Sequence, residues 1–417
     1  MRKINIPVGT SDFAEIRRKG YYYVDKTSLI RELLKTTGTK VTLITRPRRF
    51  GKTLGMSMLE KFFDIRKDSK SLFEGLEITS EQTMCSEWMN QWPVMNLSFK
   101  AVEGNDFSTA YRQLVFEIGE LYKKHEYLLE SAMLSEEDKK LFWSIKERQS
   151  GKIEVMRSLQ ILSQFLKKHY GKEVILLIDE YDVPVAKATN NGYYKEMLEI
   201  MKGLMQALKD NPSLRFAVIT GCLKIAKESI FTGTNNFVSD TITSTRLNEY
   251  FGFVQSEVEQ ILKDADIEEK AEIIKKWYNG YHFGNFDVYC PWDVMCYLSD
   301  LQKSPEAKPD SYWKNTSDNA IIRSFIDFAG TSITKKLEVL MDGGYILQRV
   351  DENLTYDYLH SSEENLWSLL YLTGYLTQAR ATEVEGELSE NTVALKIPNE
   401  EIRGIFETTV SRSEEHT

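Results

Sequence analysis

Lys40-Val-Thr-Leu-Ile-Thr-Arg-Pro-Arg-Arg-Phe-Gly-Lys-Thr-Leu54 is the stretch on which the fold turns. Residues 40–45 are rich in β-branched side chains, which fits a strand. Residues 46–51 hold a proline and a glycine and read as a turn. From Lys52 onward, Leu54, Met58, Leu59, Phe62 and Phe63 recur at helical spacing. Strand, loop, helix is the setting of the phosphate-binding signature G-x-x-x-x-G-K-[ST]. Gly51-Lys52-Thr53 fits its second half, whereas Arg46 stands where its first glycine belongs.

The second half carries most of the chemistry. Amides at a helix N-terminus point at an anion, and the helix dipole favours negative charge there. Gly51 lets the backbone come close. Lys52 is placed to reach the β- and γ-phosphates, and the Thr53 hydroxyl to ligate Mg²⁺. The expected nucleotide-contacting residues are Arg48, Arg49, Phe50, Gly51, Lys52, Thr53 and Leu54. Arg48 and Arg49 add positive charge, although exposed arginines need no special role. Pro47 stiffens the turn that a first glycine usually makes.

A second strand supports this reading. Val174-Ile-Leu-Leu-Ile178 is continuously apolar, as strands buried on both faces of a parallel sheet are, and it runs into Asp179 and Glu180. Carboxylates at that end of a strand lie where α/β sheets bind ligands. Asp179 is expected to hold Mg²⁺ and Glu180 to act as general base toward water. Asp182 and Pro184 read as turn residues. Leu214-Arg-Phe-Ala-Val-Ile-Thr220 is a third strand, and Thr220 at its end is the candidate to touch the γ-phosphate or the water. Residues 93–99 read as a further strand, with helices over about 26–35, 108–168 and 193–209. Strands alternating with helices define an α/β domain with a mostly parallel sheet. After about residue 250 helical patterns rich in Trp and Tyr take over, and the weakest junction is at residues 231–244.

The chain has 417 residues and a net charge of −9, so it is not a bulk polyanion binder. Its four cysteines are scattered, with no C-x-x-C pair. They indicate neither a zinc site nor a disulfide framework. The N-terminus lacks the apolar core of a signal peptide. No stretch approaches the roughly 18 apolar residues of a membrane helix. A cytoplasmic protein that does not enter membranes is expected.

Tyr23-Val-Asp-Lys-Thr27, Thr45-Arg-Pro-Arg-Arg-Phe-Gly-Lys-Thr-Leu54, Leu177-Ile-Asp-Glu-Tyr-Asp182, Trp277-Tyr-Asn-Gly-Tyr-His-Phe-Gly284 and Tyr312-Trp-Lys-Asn-Thr316 together resemble the bacterial AAA-ATPase-like proteins. The arginine in place of the first glycine is typical of that family. The resemblance implies a P-loop NTPase core with a RecA-like, AAA+ parallel sheet. A mostly helical C-terminal region, with winged-helix character, would follow. It implies ATP and Mg²⁺ as cofactors, with preference for ATP over GTP resting on the family, since no N-K-x-D segment is present. The expected organisation is an ATPase domain over 1–245, a helical region over 246–405 and a tail over 406–417. Family members commonly continue into a PD-(D/E)XK nuclease domain. Residues after 399 are too few for one, so no nuclease activity is expected of this chain.

Three functions compete on this reading. The first is an ATPase in which Lys52, Glu180 and Thr220 catalyse hydrolysis that moves the C-terminal region. The second is a slow nucleotide-gated switch for a protein partner. The third is a nucleic-acid-handling ATPase lacking its effector, against which the acidic charge argues. Assembly into oligomers is compatible with each, with Arg246 as a candidate arginine finger. The aromatic run at 277–284 is expected to pack rather than to stack bases. His282 has no partner at ligand spacing. Tyr356, Tyr358, Trp367 and the leucines that follow read as helix core, and the acidic stretch at 383–390 as a solvated loop.

Overall fold

The computed structural model describes residues 2–36, 38–224, 230–231, 233–313, 331–354, 362–386, 388–389 and 392–414. Residues 314–316 of the Tyr312 motif, Tyr356, Tyr358 and residues 387 and 390 of the acidic stretch lie outside these.

The alternation of apolar strands and helices produces one parallel sheet. Strands β1 (Val41–Thr45), β2 (Val94–Ser98), β3 (Val174–Asp179), β4 (Leu214–Gly221) and β5 (Phe237–Asp240) lie in the order β2-β3-β4-β1-β5. Every pairing between them is parallel. The buried run of β3 divides between the sheet's faces, because successive side chains of a strand point opposite ways. Val174, Leu176 and Ile178 enter one core, which holds the helices Phe107–Lys123, Lys152–Tyr170 and Tyr194–Leu204. Ile175 and Leu177 enter the other, against Met56, Phe62 and Phe63 of helix Lys52–Phe63. The sheet is therefore covered on both faces.

β5 falls in the segment that reads as a weak junction. It is four residues long, its first three positions are only half-buried, and polar turn residues flank it. A strand this short has too little periodicity to stand out.

Beyond residue 250 the described residues are mostly helical, with six short strands among them. β6 (Phe253–Val254), β7 (Tyr281–Phe283) and β8 (Phe286–Tyr289) form one antiparallel sheet. β9 (Ile346–Arg349), β10 (Thr377–Gln378) and β11 (Thr392–Lys396) form another. Helix Thr331–Met341 precedes β9, and helix Glu363–Leu372 precedes the β10/β11 pair. The expected start of a tail, residue 406, falls inside helix Glu400–Glu414, and the Phe406 side chain is fully buried. The aromatic run at 277–284 packs as expected: Tyr278, Tyr281 and Phe283 are all buried. So is Trp367.

Candidate functional site

Three strand ends meet at one edge of the sheet. β1 runs into the loop at 46–51, β3 ends at Asp179, and β4 ends at Thr220 and Gly221. β4 lies between β1 and β3, with Ile44 opposite Thr220 and Ile178 opposite Ile219. That register brings together side chains remote in sequence. Thr53 Oγ1 donates to Asp179 Oδ2 at 2.8 Å, and Thr220 Oγ1 donates to Oδ1 of the same carboxylate at 2.5 Å. The Glu180 amide points at the Thr220 hydroxyl at 3.4 Å.

Lys52 starts the helix and is almost fully buried. Its Nζ donates to the carbonyls of Arg46 at 3.0 Å and Pro47 at 3.1 Å, and lies 3.4 Å from Glu180 Oε1. Burial works against its charge. Cys222, Glu180, Asp179 and Asp182 outweigh that effect and hold the ammonium above its ordinary pKa. Burial, then the Glu180 charge, raises the Asp179 carboxyl, while the Thr220 and Thr53 hydroxyls pull it back. Asp182 is raised for the same two reasons. Burial pushes the Cys222 thiol up to about 12. The site is thus a buried cation ringed by three carboxyl groups, a combination common at functional centres.

Three residues here have left-handed backbone: Gly51, Glu180 and Arg49, the last at φ 73°. Gly51, at φ 85°, has open space where a Cβ would stand. It lets the loop turn left-handed straight into the helix. Glu180 has φ 54° without being glycine. Such a residue costs on the order of 1–3 kcal/mol and persists where its surroundings enforce it.

Two arginines of the loop, Arg46 and Arg49, point into protein, whereas the charge of Arg48 acts on Cys222. Arg46 is fully buried, and its guanidinium donates to Thr45 O at 2.7 Å, Asp240 O at 2.8 Å and Asn248 Oδ1 at 2.7 Å. It also lies over the rings of Phe251 and Phe283. The residue replacing the signature's first glycine thus staples the loop to the end of β5 and the segment beyond. Arg49 donates to Tyr312 O at 2.7 Å and lies over the Trp292 ring. Arg48 is exposed. Phe50 is fully buried among Tyr281, Phe283 and Trp313. Leu54 packs at the edge of the core beneath helix Lys52–Phe63. Of the expected contact residues, Gly51, Lys52 and Thr53 lie beside Asp179, Glu180 and Thr220, while the side chains of Arg49, Phe50 and Leu54 point into protein. Arg246 pairs with Asp240 at 2.9 Å.

Three participants escaped the sequence reading: Asp182, treated as a turn residue, Cys222, and Arg46 as a staple. Asp182 sits in the Leu177–Asp182 motif, which was the one available signal.

A hydroxyl and a carboxylate at 2.8 Å, beside a helix N-terminus and a buried ammonium, suit a phosphate and a hard cation. Among the described residues no three His, Cys, Asp or Glu side chains cluster to hold a metal by themselves. Mg²⁺ is the cation that suits so small a donor set, since it is usually bound by one or two carboxylates together with substrate phosphates.

A covered five-stranded parallel sheet with this strand–loop–helix and two carboxylates at its edge defines an α/β protein with a P-loop NTPase-like core. The family described as Predicted AAA-ATPase matches residues 7–231, more than half of the chain, and the protein belongs to that family. A relative from Azotobacter chroococcum mcd 1, described as an uncharacterized protein in the vnfD 5′ region, is 27% identical over 406 residues. The match covers 97% of this chain and 69% of the relative. Among the described residues no helix is long and apolar enough to cross a membrane.

Proposed function

We propose that the protein binds ATP with Mg²⁺ at the loop following β1 and hydrolyses it, and that loop occupancy is transmitted to the C-terminal region. The observation that carries this is the hydrogen-bonded set Thr53–Asp179–Thr220 beside the Lys52–Glu180 pair. Residues 1–245 then form the nucleotide domain and residues 246–405 the responding region.

In this reading the backbone amides at the start of helix Lys52–Phe63 receive the phosphates, and Lys52 neutralises the β- and γ-phosphates. Thr53 and Asp179 hold Mg²⁺, which when bound screens phosphate charge. Glu180 holds Lys52 at 3.4 Å in the structure. Phosphates that draw Lys52 toward themselves release the Glu180 carboxylate to accept a proton from water. Thr220 donates to the Asp179 carboxylate and faces the Glu180 amide, so it fixes the Asp179 carboxylate and the backbone that carries Glu180.

Transmission rests on the loop's far side. Phe50 sits in the C-terminal aromatic cluster, and Arg49 bonds the Tyr312 carbonyl. A nucleotide-gated switch would use the same contacts, since a loop held by the C-terminal region can bias that region when nucleotide binds.

Mg²⁺-dependent ATP binding and turnover test the proposal, with wild type set beside Lys52→Ala and Glu180→Gln. Loss of binding in the first and binding without turnover in the second are the expected results. Wild type that retains nucleotide without steady turnover favours the switch. Wild type without nucleotide affinity sinks both readings.

A further inference from the structure

We infer that Asp182 is a positioning residue that sets the Thr220 end of the site by holding the exit turn of β4. This rests on the hydrolytic reading above. Asp182 precedes helix Val183–Asn190, where an aspartate ordinarily caps its own helix. Its carboxylate makes no such bond. It reaches across the sheet edge instead, and Oδ2 accepts the amides of Cys222 at 3.0 Å and Leu223 at 2.9 Å. Asp182 is 1% exposed, so these bonds form out of water, where a charged acceptor is strong.

The turn it holds is a junction. The Gly221 carbonyl accepts the amide of Arg46, the first residue of the loop, at 3.1 Å. The Thr220 carbonyl accepts the Tyr181 amide at 3.0 Å, and the Tyr181 hydroxyl donates to Leu223 O at 2.7 Å. The Cys222 thiol lies 3.8 Å from Lys52 Nζ and 4.0 Å from Glu180 Oε2. The two motifs approach so closely at Gly221 that a Cβ there would stand 2.7 Å from Asp182 Oδ1 and 2.7 Å from the Tyr181 ring. Glycine at 221 and aspartate at 182 are thus two halves of one fit. Through it the strand end bearing Asp179 and Glu180 is locked to the strand end bearing Thr220. Nucleotide affinity depends on the loop and Lys52, whereas the placement of Thr220 and Glu180 governs the chemical step. Asp182 therefore acts on kcat.

The test compares Asp182→Ala, Asp182→Asn and Gly221→Ala with wild type, reading ATP turnover, ATP affinity and hydrogen exchange of the residue 220–223 amides. In Asp182→Ala, kcat falls by about 100-fold, the scale of a displacement of about 1 Å at a reacting centre. Affinity stays within a few-fold and exchange at 222 and 223 accelerates. Asparagine keeps an acceptor oxygen, so Asp182→Asn recovers most of the protection and most of kcat. Gly221→Ala repeats the kcat loss through the clash, and it carries the kinetic test if the alanine variant at 182 does not fold. Unchanged exchange at 222 and 223 in Asp182→Ala, wild-type turnover in that variant or in Gly221→Ala, or an asparagine variant as impaired as alanine would overturn the inference. If wild type does not hydrolyse ATP, the hydrolytic reading fails, while the exchange data still decide whether Asp182 holds the turn.

Discussion

Replacing Arg46 by glycine restores the full phosphate-binding signature, and reasoning from the signature alone predicts neutral or better function. The structure predicts damage. The Arg46 guanidinium donates to Asp240 O and Asn248 Oδ1, partners 194 and 202 residues away, and both lie in the buried interior. Its burial costs something, since desolvation pushes its pKa down to about 10. Removing it is costlier. Each buried acceptor left unpaired costs about 1–3 kcal/mol, and the vacated space between Phe251 and Phe283 adds a cavity term. Two lost non-local bonds and the cavity, offset by the recovered desolvation, come to about 3–5 kcal/mol, as for other disrupted buried charges. At about 2–4 °C per kcal/mol for a domain of this size, Tm falls by about 6–20 °C. Thermal and urea melts measure it, with Arg46→Lys as a companion that restores charge but not the planar fork. Nucleotide affinity falls as well, because the loop's first residue is no longer anchored through its side chain to Asp240 and Asn248. A glycine variant that melts with wild type and binds ATP as tightly would refute the staple.

Two further outcomes follow from the same contacts. Phe50→Ala empties a fully buried position facing Tyr281 at 4.9 Å and Phe283 at 5.1 Å. It should cost about 3–5 kcal/mol in melts, and ATP should no longer alter the limited proteolysis of the C-terminal region. Glu401 is buried near Asp293, and burial followed by the Asp293 charge lifts its pKa far above the ordinary 4.5. The native state therefore holds a proton that the unfolded chain gives up above 4.5, so this contribution to stability is full in acid and is lost as pH rises. Glu401→Gln cannot lose a proton. Its Tm should vary less between neutral and alkaline buffer and exceed that of wild type in alkali; a variant that tracks wild type across that range removes the pair from the account.

What the chain's local pattern determined is the parallel-sheet core and most of its site. β3 announces itself because a strand buried on both faces is apolar throughout, and β1 and β4 through short runs rich in β-branched and apolar residues. Gly51, Lys52, Thr53, Asp179, Glu180 and Thr220 stand out because each sits at a strand end or helix start, where backbone geometry already dictates its direction. Tertiary structure alone decided the rest. The four residues of β5 and the short strands after residue 250 carry too few side chains for a period to show, and pairing with neighbours defines them. Arg46, which in sequence merely breaks a motif, becomes a staple only when Asp240 and Asn248 arrive beside it. Asp182 reads as a turn residue until β4 brings the amides of Cys222 and Leu223 to its carboxylate. Periodicity and capping act over a few residues and can be read along the chain. A hydrogen bond between distant segments depends on how the whole chain closes, and no local pattern records that.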